Sequence, residues 1–167
     1  MRSFSNIAAF YRGTLLFRYI GDLISLLFPQ RCQACETQLV QGEVTICSLC
    51  EYELPRTNFH LQRDNPIEKT FWGRLEIDHA AAFLTFEKLS RVQHLMHQLK
   101  YNGRYDVGVK LGEWYGRDLQ QAVWLKGVDL IIPVPLNKRK KRLRGYNQAM
   151  AFAEGLSKTT DIPASDE

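Results

Sequence analysis

Two groups of residues in this sequence have the types and spacing to do chemistry. The first is Cys32-Gln33-Ala34-Cys35 together with Cys47-Ser48-Leu49-Cys50, which hold all four cysteines of the chain. Each Cys-x-x-Cys sits on a tight turn that aims two thiolates one way, and two such turns facing each other make the tetrahedral sulfur shell of a zinc site. The eleven residues between the pairs suffice for a short hairpin over residues 40–46 around Gly42. The alternatives are two disulfides or four free thiols. A bridge inside Cys-x-x-Cys is strained as a structural link, and redox use needs only one such pair. With all four positions filled by protein ligands, the ion is expected to be structural, supplying folding energy to a segment too small for its own core.

The second group is Lys138-Arg139-Lys140-Lys141-Arg142-Leu143-Arg144, six cations in seven positions. The chain of 167 residues carries a net charge of +4, so everything outside this run sums to −2. Basicity confined to one patch points to a specific anion: phosphate, pyrophosphate or a nucleic-acid backbone. The run follows an apolar stretch, residues 128–134, that reads as a strand buried on both faces and stopped by Pro133 and Pro135. It precedes a helical pattern of Tyr146, Ala149, Met150, Ala153 and Leu156, which Gly155 weakens late. A charged loop between the carboxyl end of a strand and a helix N-terminus is where open α/β sheets take anionic ligands. The plainer reading is a charge run that only stays solvated.

The elements that must position these groups follow from periodicity. Residues 8–27 read as helical, with Leu16, Ile20, Leu23, Ile24 and Leu27 on one face packed on the body of the protein, and Pro29 ends them. Arg12, Arg18 and Asp22 interrupt this segment, so no uncharged run reaches the length of a membrane-spanning helix. No small-residue cleavage site follows it, and a cytoplasmic location is the expectation. Residues 51–74 are a polar connector ending in the aromatic turn Phe71-Trp72-Gly73-Arg74, expected to pack on the cysteine module, with base stacking as the alternative. Residues 78–86 read as a strand, 89–99 as a helix ended by Asn102-Gly103, and 107–124 as a second helix. His94 and His97 read as ordinary helix residues. Hydrophobic content of 45% and charged content of 24% are those of a folded globular protein.

The pattern Pro133-Val134-Pro135-Leu136, spaced basics and then Arg144-Gly145-Tyr146-Asn147-Gln148 resembles the ComF family, as does Lys100-Tyr101-Asn102-Gly103. The resemblance runs from about Phe28 onward. It implies an α/β protein: a small zinc ribbon followed by the N-terminal part of a type I phosphoribosyltransferase-like domain with an incomplete sheet. The boundaries are 1–29 for the N-terminal helical segment, 30–56 for the ribbon, 57–74 for the connector and 75–167 for the partial domain. It implies binding of phosphoribosyl pyrophosphate or pyrophosphate, with Mg2+ sharing the anion, and an association with competence and DNA uptake. By the same resemblance Arg139, Arg142 and Arg144 match the family's spaced basic positions, Gly145 allows close backbone approach, and Asn147 and Gln148 offer amide hydrogen bonds. Lys100 and Arg104 then face the phosphate site, whereas by themselves they read as cations near a helix C-terminus, favoured by its dipole.

Members of that transferase class carry a later strand ending in two acids and a Thr-Gly turn that wraps the ribose 5-phosphate. No such element stands here; Asp166-Glu167 has neither the strand before it nor the turn after it. The expectation is a C-terminally truncated member, inactive as a transferase in this form. Two other readings stay open: a single-stranded DNA-binding competence factor without enzymatic activity, and an adaptor whose ribbon docks other competence proteins.

Overall fold

Small residues spaced four apart decide where the main helices meet. In the computed structural model, which describes residues 29–165, six α-helices form: α1 Ser48–Tyr52, α2 Pro66–Lys69, α3 Arg91–Tyr101, α4 Tyr105–Leu119, α5 Lys138–Arg144 and α6 Gln148–Thr160. Gly108, Gly112 and Gly116 run down one side of α4, and Ala151, Gly155 and Thr159 run down the facing side of α6. A Cβ on Gly112 would lie 2.9 Å from the Gly155 Cα and overlap the Phe152 carbonyl oxygen. The two backbones therefore approach as closely as backbones can. Gly155, read from sequence as a weak point of its helix, is the residue that lets α4 come near.

The core grows outward from this pair. Leu95 and Leu99 of α3 and Val107, Leu111 and Trp114 of α4 are buried in one cluster with Cys32, Ile46, Cys50 and Leu54. The cysteine module and the helices thus share a hydrophobic core. Ser90 caps α3 by accepting from the Gln93 N–H at 3.3 Å, so the helix starts two residues later than periodicity predicts, and Leu89 is left outside. α4 stops at Leu119 rather than at 124; a short 3-10 turn, Val123–Gly127, follows.

The connector is more ordered than its polar composition predicts. Buried Asn65 accepts from the N–H groups of Ile67 and Glu68, capping α2 with Pro66 at its first position, and donates to the carbonyls of Phe59, Gln62 and Ala80. One side chain thereby pins three turns of chain. Trp72 points outward and does not pack on the cysteine module as expected.

Neither expected strand forms as part of a sheet, and the described residues are helices, turns and loops. Residues 78–86 contribute a single antiparallel bridge, Leu84 to Arg56. Its partner segment is short, and Pro55 in it has no N–H to give to a ladder. Residues 128–134 make one parallel bridge, Ile131 to Ala164, with Ile131 N–H donating to the Pro163 carbonyl at 2.9 Å and Ser165 N–H to the Ile131 carbonyl at 3.1 Å. This stretch is not buried on both faces: Ile132 is 68% and Val134 77% exposed. An apolar run becomes a strand only when neighbours supply a ladder and a cover, and among the described residues it has one partner residue.

The basic run is a helix, not a loop. Lysine and arginine are good helix formers. Asn137 caps the start by accepting from the Arg139 N–H at 2.9 Å, and Gly145, at φ 82°, closes the end with its N–H on the Lys141 carbonyl at 2.8 Å. The sequence expectations for residues 1–28 and for Asp166-Glu167 lie outside the described residues. Among the described residues no helix is long and apolar enough to cross a membrane.

Candidate metal centre and basic helix

The first Cys-x-x-Cys turn is closed by Cys32 N–H donating to the Thr37 carbonyl at 2.8 Å and by Glu36 N–H donating to the Cys32 carbonyl at 2.9 Å. Gln33 N–H reaches the Thr45 carbonyl at 2.9 Å and ties this turn to the segment that leads into Cys47. Cys47 stands at the N-cap of α1, and the helix carries Cys50 inward. The result is convergence: the four sulfur atoms all lie within 4.8 Å of one another. None of the four is in a disulfide. Sγ of Cys35 and Sγ of Cys47 are 3.8 Å apart. A tetrahedron with zinc–sulfur bonds of about 2.3 Å has an edge of about 3.8 Å, so this pair is spaced as two ligands of one ion are.

The surroundings fit thiolates. The N–H groups of Ala34 and Cys47 point at Sγ of Cys32 at 3.4 and 3.3 Å, and the Thr37 hydroxyl lies 2.9 Å from Sγ of Cys35. Burial pushes the Cys35 thiol up, but hydrogen bonds from the side chain and backbone of Thr37 outweigh it and bring it down to about 6. Burial pushes Cys47 and Cys50 up, and for Cys50 the neighbouring sulfurs add to it. Four sulfurs this close and this buried repel one another as anions, and a divalent cation among them removes that repulsion. These residues can hold one metal ion such as zinc, with every ligand supplied by the protein, and such an ion fixes the chain without offering a coordination position to substrate.

The basic residues are arranged in the opposite way. Lys138, Arg139, Lys140, Lys141 and Arg142 of α5 are exposed. Among the described residues none of the five has a carboxylate within ion-pair reach. Arg144 is half-buried: Nη1 donates to Oε1 of Gln148 at 2.9 Å, and its guanidinium lies 5.7 Å from the ring centroid of Tyr101. The Tyr146 hydroxyl donates to the Leu99 carbonyl at 2.6 Å. The end of α3, carrying Lys100 and Tyr101, is thereby fastened to the α5–α6 junction. Asn147 is buried and spent on structure: it accepts from Ala149 N–H and donates to the Val134 carbonyl, both at 3.1 Å.

Of the eight phosphate-site residues expected from sequence, Lys100, Arg139 and Arg142 are exposed, and Arg144, Gly145 and Gln148 build the turn after α5. Arg104 holds both oxygens of Asp106, at 2.9 and 2.6 Å, and this forked pair keeps the Asp106 carboxyl below its ordinary range. Asp106 also accepts from the Thr45 hydroxyl at 3.1 Å, so Arg104 helps join the cysteine module to α4. Sequence reasoning did not find Thr37 beside Cys35 or Tyr101 under Arg144. A hydroxyl two residues after a ligand cysteine, and an aromatic in the turn before Asn102-Gly103, were the features that could have pointed to them.

No protein-family model matches the chain, and no solved structure matches it significantly. Two curated relatives, the DNA utilization protein YhgH of Escherichia coli K12 and that of Shigella flexneri, are each 28% identical over 149 residues. The matches cover 80% of this chain and 63% of each relative, so the chain spans less than two thirds of the length of the curated relatives it resembles.

Proposed function

We propose that this chain belongs to a ComF-like protein of DNA uptake and that it holds single-stranded nucleic acid by its phosphates through α5, with the cysteine module as a structural zinc ribbon. The observation that carries this is the exposure of five cations on α5 without a carboxylate partner among the described residues. Successive residues of a helix step about 100° around its axis, so the cations point outward in several directions. A convex, divergent set of charges matches a polyanion that passes across it better than a small anion that must be enclosed. Tyr101, 64% exposed and faced by Arg144, adds an aromatic surface on which a base can stack. The name of the relatives, DNA utilization protein, agrees with this reading.

A second reading rests on a different observation. Ile131 and Ala164 pair in parallel across α6, so the chain runs extended segment, basic segment, helix, extended segment, the order of a βαβ unit. That order favours a phosphoribosyltransferase-like domain whose basic segment takes phosphoribosyl pyrophosphate with Mg2+. The two readings separate in one titration. Fluorescence anisotropy of a labelled oligothymidylate is expected to report binding that weakens steeply with salt, needs no Mg2+ and is unaffected by phosphoribosyl pyrophosphate at low concentration. Binding of phosphoribosyl pyrophosphate that requires Mg2+, with no uptake of the oligonucleotide, would overturn the first reading in favour of the second.

A further inference from the structure

Beyond α2 the chain folds over a groove of about 690 Å3 whose walls include Trp72, Leu75 and Ile77. These three side chains are 60%, 64% and 41% exposed, an apolar surface that nothing covers among the described residues. Apart from Gly73 the rest of the lining is acidic, from Asp64, Glu68, Glu76 and Asp78, and among the described residues no lysine or arginine lines it. Lys69 stands beside it, its ammonium 5.9 Å from the Trp72 ring centroid, so this indole already holds one cation. Glu76 and Asp78 have no ion pair within the chain among the described residues. Glu68 is held in place by the N–H groups of Asp64 and Ala80 at 2.6 and 3.3 Å; burial pushes its carboxyl up, but these hydrogen bonds outweigh burial and keep it low. The groove is anionic at neutral pH.

A second cleft of similar size, between the cysteine module and α4, also carries acids, Glu43, Glu51 and Glu154 besides Glu113 and Asp106, but Lys110 and Lys158 line it as well and pair with Glu113. In the Trp72 groove the one base within ion-pair reach of a lining acid is His79, whose Nδ1 lies 3.4 Å from Oε1 of Glu68, and neither lysine nor arginine lines it among the described residues. Its charge and its apolar wall together ask for an occupant that is basic and carries one exposed apolar side chain.

The chain itself presents such a segment. On α5, Leu143 is 84% exposed and follows Lys140 and Arg139 at helical spacings of three and four, so all three share one face. From this complementarity we infer that the Trp72 groove docks the α5 helix of a second copy of the protein. Leu143 would meet Trp72, Leu75 and Ile77, and Arg139 and Lys140 would meet Glu76 and Asp78. The contact joins two different surfaces, so a dimer keeps one free groove and one free α5, and association continues beyond it. It rests on the same exposed cations as the nucleic-acid reading, and polyanion and groove compete for them.

The test is sedimentation velocity of the full chain without nucleic acid, at about 20 mM and about 0.5 M salt, conditions that differ severalfold in screening length. The expected result is association at low salt that dissociates to single chains at high salt. A groove variant, Glu76→Lys with Asp78→Lys, and a helix variant, Arg139→Glu with Lys140→Glu, change exposed side chains only, and each alone is expected to stay a single chain. Mixed, they are expected to associate again, because the intact α5 meets the intact groove and the reversed α5 is complementary to the reversed groove. Wild-type chains that sediment singly at low salt, or a reversed variant that by itself associates as the wild type does, would overturn the inference. Either outcome is independent of whether an oligonucleotide binds.

Discussion

The four sulfurs of the cysteine module lie within 4.8 Å of one another, at the edge of the core, whereas five of the six cations of α5 are exposed on the outside. Both regions concentrate charge of one sign. The first turns its charges inward on one point, where a single cation can meet all four sulfurs. The second turns them outward, where water and salt screen them, and the helix is held by its own caps at Asn137 and Gly145. Convergence selects a point charge, divergence a line of charge. The comparison teaches that the direction of the side chains, more than their number, decides what kind of partner a charged motif takes.

The largest break in this comparison comes from the convergent side. Removing the metal with a chelator, or replacing Cys50 by Ser, is expected to unfold the module over residues 31–54, since structural zinc contributes on the order of 10 kcal/mol in small modules. Elemental analysis should fall from one ion per chain to none, with amide resonances of that segment collapsing while those of α4 and α6 persist. An unchanged spectrum after full metal loss would contradict the role assigned to the ion. Next in size is Gly112→Ala, which forces apart the helix pair beneath both regions. Its methyl meets the Phe152 carbonyl and Gly155, and urea unfolding should show a loss of about 3 kcal/mol.

Smaller changes sharpen the comparison. Asn147→Ala removes the cap of α6 and the tie to the Val134 carbonyl, and about 1 kcal/mol should be lost in the same assay, with metal content unchanged. The smallest concerns acid. The Glu68 carboxyl is held below its ordinary value of 4.5 by backbone hydrogen bonds that outweigh burial. Its contribution to stability is therefore complete above about pH 4.5 and is lost as pH falls through the lower folded value. The urea midpoint of Glu68→Gln should lose the part of the acid dependence due to this group; a profile parallel to the wild type would show that Glu68 contributes none.

How much of this was legible in the sequence depends on how local the cause is. The cysteine pairs were legible because ligand chemistry fixes their spacing within a few residues. α3 and α6 were legible from apolar periodicity, with starts shifted by two residues where Ser90 and Asn147 cap. The fit of α4 to α6 was written as Gly108, Gly112, Gly116 against Ala151, Gly155, Thr159, but two separate stripes have meaning only once they face each other. Residues 128–134 were misread because apolar composition reports a capacity for burial, while a strand needs neighbours that this stretch, among the described residues, has only at Ala164. The basic run was read as a loop because its charges drew attention away from Asn137 and Gly145, which cap it as a helix. The order in the connector rests on one side chain, Asn65, with partners as distant as Ala80, and no periodicity records that.

The most direct test of the central claim is the salt dependence of oligothymidylate binding, compared between the wild type and Lys140→Ala/Lys141→Ala/Arg142→Ala. If α5 lies along the phosphates with about five contacts, log K should fall against log salt with a slope of about −3.5, and removing three cations should shrink it by about 2. Equal slopes for the two proteins would contradict the account, because the divergent charges of α5 would then take no part in holding the strand.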